Sequence, residues 1–407
     1  MMRIPVWPTL PGGTVTVSSV ALCSLLMSGL CLAQGSRPAG TTKFALDGNR
    51  MYAELGFVRP DGSIHRALAF VDMGSPSMVL RESLFKDLQL DRRKLLVFNV
   101  GELSVEVPGA DVTSESREPS SIGSELKVEA ILPASILEKY RVVIDYRERT
   151  LELARFATDK PPGILVPIHI NQRTGLIAVA VSINGKPYQI TIDNGSAYTW
   201  VSQNAAKDWV VSHPEWKRGV GAIGASNMMM SGEPTETSGT LMRIPEISLG
   251  PLILKDVGML AAGPSKNFPG NLDLFDWYAR KNAVPVIGWI GGNILKAFRL
   301  TIDYPNQMTY WLKQSEPDTH DLDQVGLTLQ SDRGAFFVAA VATRNGKPTV
   351  DSVLPGDKLI RVGALDTRNA TWGAIYEAMH GSPGETRSLT IERNGHQITI
   401  ATKVTAF

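Results

Sequence analysis

The chain has 407 residues, 43% of them hydrophobic and 20% charged, the composition of a folded protein too long for one ordinary core. Its formal net charge of +1 gives no support to nucleic acid as a partner. The two cysteines, Cys23 and Cys31, fall in one apolar stretch near the N-terminus, which excludes a disulfide framework and a thiolate metal site.

In chain order, the first feature is that stretch. Val15 to Leu32 carries no charge, follows Arg3, and closes with Cys31-Leu32-Ala33, small residues at the alternate positions that a leader peptidase reads. Cleavage after Ala33 and export, to a periplasm or the exterior, are expected; residues 1–33 are then a signal peptide. The alternative is an uncleaved anchor that keeps the protein near a membrane, because the run is just long enough to span. Leu22 and Leu30 precede the cysteines, where a lipoprotein signal needs a small residue.

Strands and turns dominate the rest of the chain. Met51 to Val58, the turn Pro60-Asp61-Gly62 and Ala67 to Val71 read as a hairpin that runs into Asp72-Met73-Gly74-Ser75. A short helix is expected over Glu82–Leu90, and the phrase from Ile136 to Tyr146 closes this first unit. Thr158 to Gly163 reads as a linker. Then Ile177 to Ile183, the turn signal Asn184-Gly185 and Tyr188 to Ile192 form a second hairpin, which runs into Asp193-Asn194-Gly195-Ser196. Ile244 to Gly250, continuing to Val257, reads as a strand pair, Leu274–Asn282 as a helix, and Ile294 to Tyr304 repeats the closing phrase.

The two loops are offset by 121 residues (72 to 193) and the two Ile-Asp-Tyr phrases by 158 (145 to 303), so the second unit carries 37 more residues between them. This is a divergent duplication with an insertion, not a short-period solenoid. Gln314 to Asp318 marks another boundary. Beyond it, Gly334 to Ala342 and Leu389 to Glu392 read as strands and Trp372 to His380 as a helix. Arg393-Asn394-Gly395-His396 forms a hairpin turn before Gln397 to Lys403.

One Asp-x-Gly-Ser loop alone reads as a turn carboxylate that accepts backbone hydrogen bonds. Two such loops, each after an apolar strand in a duplicated unit, can bring two carboxylates face to face on a pseudo-twofold axis. Asp145 and Asp303 also recur, but late in each unit, where a structural turn acid fits better. The six histidines form no paired metal-hydrolase motif, and there is no Ser-nucleophile elbow or phosphate-binding Walker loop, so no metal or other cofactor is expected. Gly219 to Gly224 matches G-x-G-x-x-G, yet it follows Lys217-Arg218 rather than an apolar strand and opens no helix, which excludes a dinucleotide site.

On these motifs the repeated unit resembles the retropepsin-like aspartic peptidase domain. The resemblance rests on the two loops, on Val286-Ile287-Gly288 with Gly291-Gly292-Asn293, and on the Phe298-to-Tyr304 closing strand. It implies a mostly-β protein with two acid-protease β-barrel lobes, over 42–157 and 164–314. By the same resemblance Asp72 and Asp193 form the catalytic dyad, and Gly74, Ser75, Asn194, Gly195 and Ser196 support it. The serine hydroxyls would donate to the outer carboxylate oxygens. Gly221, Ala222, Ile223 and Gly224 are the candidate flap, with Met228 to Met230 beside it, and the partner is a peptide or protein substrate.

The departures fall mainly in the first unit. Met73 and Asn194 replace the hydroxyl residues that brace the two loops; Ala130 stands where Gly288 stands in the second unit, and Pro133-Ala134 where Gly291-Gly292 stand. Two alternatives therefore stay open: a catalytically inactive peptide-binding protein of the same fold, and a homodimeric peptidase that uses only the second lobe. Residues 322–407 resemble a small α+β PDZ domain through Asp351 to Gly363, with Val362 in place of the usual Asn and Ser352-Val353 in place of Ala-Gly. Such a module binds extended peptides by strand addition, or serves only to pack against the barrels.

Overall fold

The computed structural model describes residues 39–115, 126–155, 157–221, 234–262 and 274–407. These described residues form one compact unit. It is mostly β, with short helices between strands.

The two halves repeat one topology. In the first, the hairpin Arg50–Val58 and Ile64–Asp72 delivers the Asp72 loop. Strand Val128–Pro133 then inserts parallel to Ile64–Asp72 and antiparallel to Met78–Arg81. In the second, Ile177–Ile183 and Lys186–Ile192 deliver the Asp193 loop, and Gly288–Ile290 inserts parallel to Lys186–Ile192 and antiparallel to Thr199–Ser202. Each loop is thus held between two strands that flank a third arriving from late in its repeat. The expected strand pair forms as Thr240–Leu249 with Leu252–Ala262. The expected helix over Glu82–Leu90 stops at Asp87, because Gln89 takes a left-handed backbone conformation that ends it.

The closing phrases join the repeats. Phe298–Asp303 pairs antiparallel with Arg141–Asp145, Leu300 opposite Ile144, in the middle of a run of six strands, three from each repeat. Asp145 accepts from the backbone of Arg147 and Glu148 and from Gln314, while Asp303 caps Asn306 and pairs with the buried Arg141 at 2.8 Å. Both acids are therefore turn and ladder residues. One continuous apolar core underlies both repeats.

The C-terminal part builds its own sheet, in the order Leu327–Asp332, Ala335–Val341, Lys358–Val362, Thr386–Arg393, His396–Lys403. Helix Trp372–Met379 covers it, with Trp372, Ile375 and Met379 in a separate core and Trp372 edge-on to Phe336. This part is closely docked. Asp47 of the first repeat accepts from the Gly373 N–H at 3.0 Å and from the Thr371 hydroxyl, capping the helix. Tyr376 lies 5.4 Å from Tyr198 between ring centroids. Thr343–Arg344 joins the edge of the second repeat's sheet at Val220, and buried Phe407 is fixed by Arg243 and Asp323.

Candidate active site

The Asp72 and Asp193 loops meet, with each loop's glycine against the other loop's carboxyl group. The backbone geometry is nearly twofold. The Gly74 N–H donates to Asp72 Oδ1 at 2.8 Å, and the Gly195 N–H to Asp193 Oδ1 at 2.9 Å. Ser75 N–H returns to the Asp72 carbonyl at 3.2 Å, Ser196 N–H to the Asp193 carbonyl at 3.3 Å. The turn after each inserted strand then clamps its loop: Ala134 N–H donates to Ser75 O at 2.9 Å and Gly292 N–H to Ser196 O at 2.7 Å. A Cβ on Gly74 would collide with the Asp193 carboxylate, and one on Gly195 with that of Asp72. Glycine at both positions is therefore what lets the two acids reach each other.

Side chains break this symmetry. The Asn194 carboxamide accepts from the Met73 N–H at 2.8 Å and donates to Met51 Sδ at 3.1 Å. Met73 returns nothing polar; its side chain is buried in the core. The brace between the loops is therefore one-sided. The serines also depart from expectation. Ser196 donates to Tyr198 O at 2.7 Å and accepts from Trp289 Nε1 at 2.6 Å, while Ser75 donates to Ser77 O at 3.2 Å. Their hydroxyls hold the loop backbones, and the backbone N–H groups of Gly74 and Gly195 serve the carboxylates instead.

Burial pushes both carboxyls above the ordinary carboxylate range, because an ion in a site cut off from water is costly. Asp193, only 3% exposed, is raised well above it, with the charge of Asp72 as the second cause. Asp72 is partly exposed and raised less. The Gly74 N–H, the neighbouring Asp193 carboxyl, the Ser75 N–H and the nearby buried Arg50 all favour its ionised form. The two acids accordingly titrate as a pair that can hold one proton between them.

Asn293, next to Gly292, accepts from Thr199 N–H and Oγ1 and donates to buried Asp321 at 2.6 Å; Asp321 in turn pairs with Arg243 at 3.0 Å. Sequence reasoning did not single out this network, nor Tyr278, whose hydroxyl donates to Gly74 O at 3.0 Å. The only sequence signal for Tyr278 was its place in an aromatic-rich helix. Of the candidate flap, Gly221 is buried, has a left-handed φ of +96° and donates to Gly239 O at 2.7 Å. Ala222, Ile223, Gly224 and Met228 to Met230 lie outside the described residues.

No protein-family model matches the sequence, and no curated protein is found as a relative. Among solved structures, the chain is similar to the aspartic proteinase from Irpex lacteus, at a TM-score of 0.40 and 11% identity, over 69% of this chain and 98% of that one.

Proposed function

We propose that this protein is an aspartic-type endopeptidase that cleaves peptide bonds with the Asp72/Asp193 pair. The observation that carries the reading is reciprocal: within one chain, each loop's glycine makes room for the other loop's carboxylate. The ionised member of the pair takes a proton from water as the water oxygen bonds to the scissile carbonyl carbon, and the protonated member donates to the carbonyl oxygen. The tetrahedral species collapses as the carbon–nitrogen bond breaks: the leaving nitrogen takes one proton from the dyad, and a hydroxyl of the diol returns one to it as the new carbonyl forms. Since both acids are raised, activity is expected from mildly acidic pH upward, falling when the pair loses its last proton.

The one-sided brace at Met73 is the observation that favours the second reading, a catalytically inactive peptide-binding protein of the same fold. A homodimer that uses only the second repeat gains no such support, because Asp72 already sits against Asp193 within the chain. The C-terminal part is read as a PDZ-like module, and its docking through Asp47, Tyr198 and Val220 supports a packing role for it. Export rests on Val15 to Leu32, outside the described residues; among those described, no helix is long and apolar enough to cross a membrane.

The test is cleavage of a peptide library across pH by the wild type and Asp193→Asn, with peptide binding measured in parallel. Cleavage by the wild type alone is expected. Binding without cleavage by either protein would favour the inactive reading, and equal cleavage by both would put the activity elsewhere.

A further inference from the structure

Tyr278 stands on helix Leu274–Lys281 of the second repeat, yet its hydroxyl bonds the Gly74 carbonyl in the first repeat's catalytic loop, 204 residues away. This is the loop whose own bracing position is Met73. Asn194 reaches the loop only by accepting the Met73 N–H, so the Gly74 carbonyl is held by a different side chain from the same repeat.

The helix is fixed where it stands. Leu274 and Phe275 are buried beside Trp289, and the Tyr278 ring lies 5.1 Å from that indole, the same one that donates to Ser196. The C-terminal end is tied to the Asn171–Gly175 turn: Thr174 Oγ1 donates to Lys281 O at 2.7 Å and Asn171 Nδ2 to Asn282 O at 3.2 Å. A Cβ on Gly175 would collide with the Ala134 carbonyl, so this turn lies directly against Ala134, which clamps Ser75. Helix, turn and clamp make one rigid path to the Asp72 loop from two sides.

From this geometry we infer that Tyr278 is a positioning residue that holds the Asp72 loop in place of the hydroxyl brace that Met73 cannot supply. It rests on the peptidase reading, since it gives Tyr278 a role in keeping Asp72 aligned with Asp193. Its phenol makes no bond to either carboxylate and acts through the loop backbone. Removing one hydroxyl from a fixed ring leaves the packing on Trp289 in place, and a small loss of alignment is enough to slow a reaction that needs both acids in register.

The experiment compares wild type, Tyr278→Phe, Met73→Thr and the double variant. Turnover is followed on a peptide that the wild type cleaves, and hydrogen exchange of the 72–75 amides is measured on every protein. The expected result is a fall in kcat of about tenfold in Tyr278→Phe at unchanged KM, with faster exchange confined to that loop. The double variant should recover part of both, because the introduced threonine restores a hydroxyl brace. Unchanged kcat with unchanged exchange would overturn the inference. So would a rise in kcat, which would make the tyrosine an obstruction, or a rise in KM alone, which would make it a substrate contact. If the wild type cleaves nothing, the peptidase reading fails, and exchange alone decides the brace: faster loop exchange in Tyr278→Phe supports it, and unchanged exchange refutes it.

Discussion

The first and second repeats share backbone hydrogen bonds to within a few tenths of an ångström around their aspartates, yet they secure those bonds with different side chains. In the second repeat the loop is locked mainly from within: Trp289 holds Ser196, Asn293 holds Thr199, and Gly288 lies so close to Trp200 that a Cβ there would collide with its carbonyl. In the first repeat Ala130 occupies the matching place and its methyl group is accommodated, and the pairing of Val128–Pro133 with Ile64–Asp72 slips by one residue at Glu129. That loop keeps the Ala134 clamp of its own repeat, and side chains of the other repeat, Asn194 and Tyr278, hold it from outside. A repeat that looks eroded in sequence has kept its topology by borrowing its braces.

The largest effects should come from the pair itself. Asn at either 72 or 193 should lower turnover by about a thousandfold or more, since neither acid can work alone. If only one substitution did so, the symmetric half of the comparison would fail. Next are the crossing glycines. Ala at 74 or 195 should cost about a hundredfold in turnover by driving the carboxylates apart, and weaker binding of a peptide with a tetrahedral hydroxyl in place of the scissile carbonyl would locate the damage.

Stability separates the repeats. Gly288→Ala should destabilise by about 3 kcal/mol or more, whereas Ala130→Gly should cost about 1 kcal/mol, both read from denaturant unfolding. Equal costs would contradict the claim that only the first repeat has made room. Asn194→Ala, which strands the buried Met73 N–H, should cost about 1–3 kcal/mol.

The smallest effect is a pH dependence. Both dyad acids have folded values raised above the ordinary 3.8, so what they contribute to stability is fully present below that value and is lost as pH rises through the folded ones. Asp193→Asn should remove that loss and gain on the wild type in melting temperature as pH rises. Asp145, Asp357 and Glu385 are shifted the other way, so their stabilisation fades on acidification in both proteins and cancels in the difference.

Much of this was legible in the sequence because it is written in short contiguous phrases. The doubled Asp-x-Gly-Ser and Ile-Asp-Tyr runs marked both loops and the strands that join the repeats, and the hairpin turns fell near their expected places. Side-chain partners were not legible. Ser75 and Ser196 carry the right residue type, but whether a hydroxyl turns to the carboxylate or to the loop backbone depends on Trp289, Tyr198 and Ser77 in three dimensions. Nor could spacing show that Tyr278 would meet Gly74, or that Asp47 would cap a helix 326 residues further on.

The central claim is that one chain builds one site from one acid of each repeat. It is tested most directly by the turnover of Asp72→Asn and Asp193→Asn, measured separately and then mixed in equal amounts. The account predicts that both are silent and that the mixture stays silent. Wild-type turnover by Asp72→Asn, or activity restored on mixing, would contradict it.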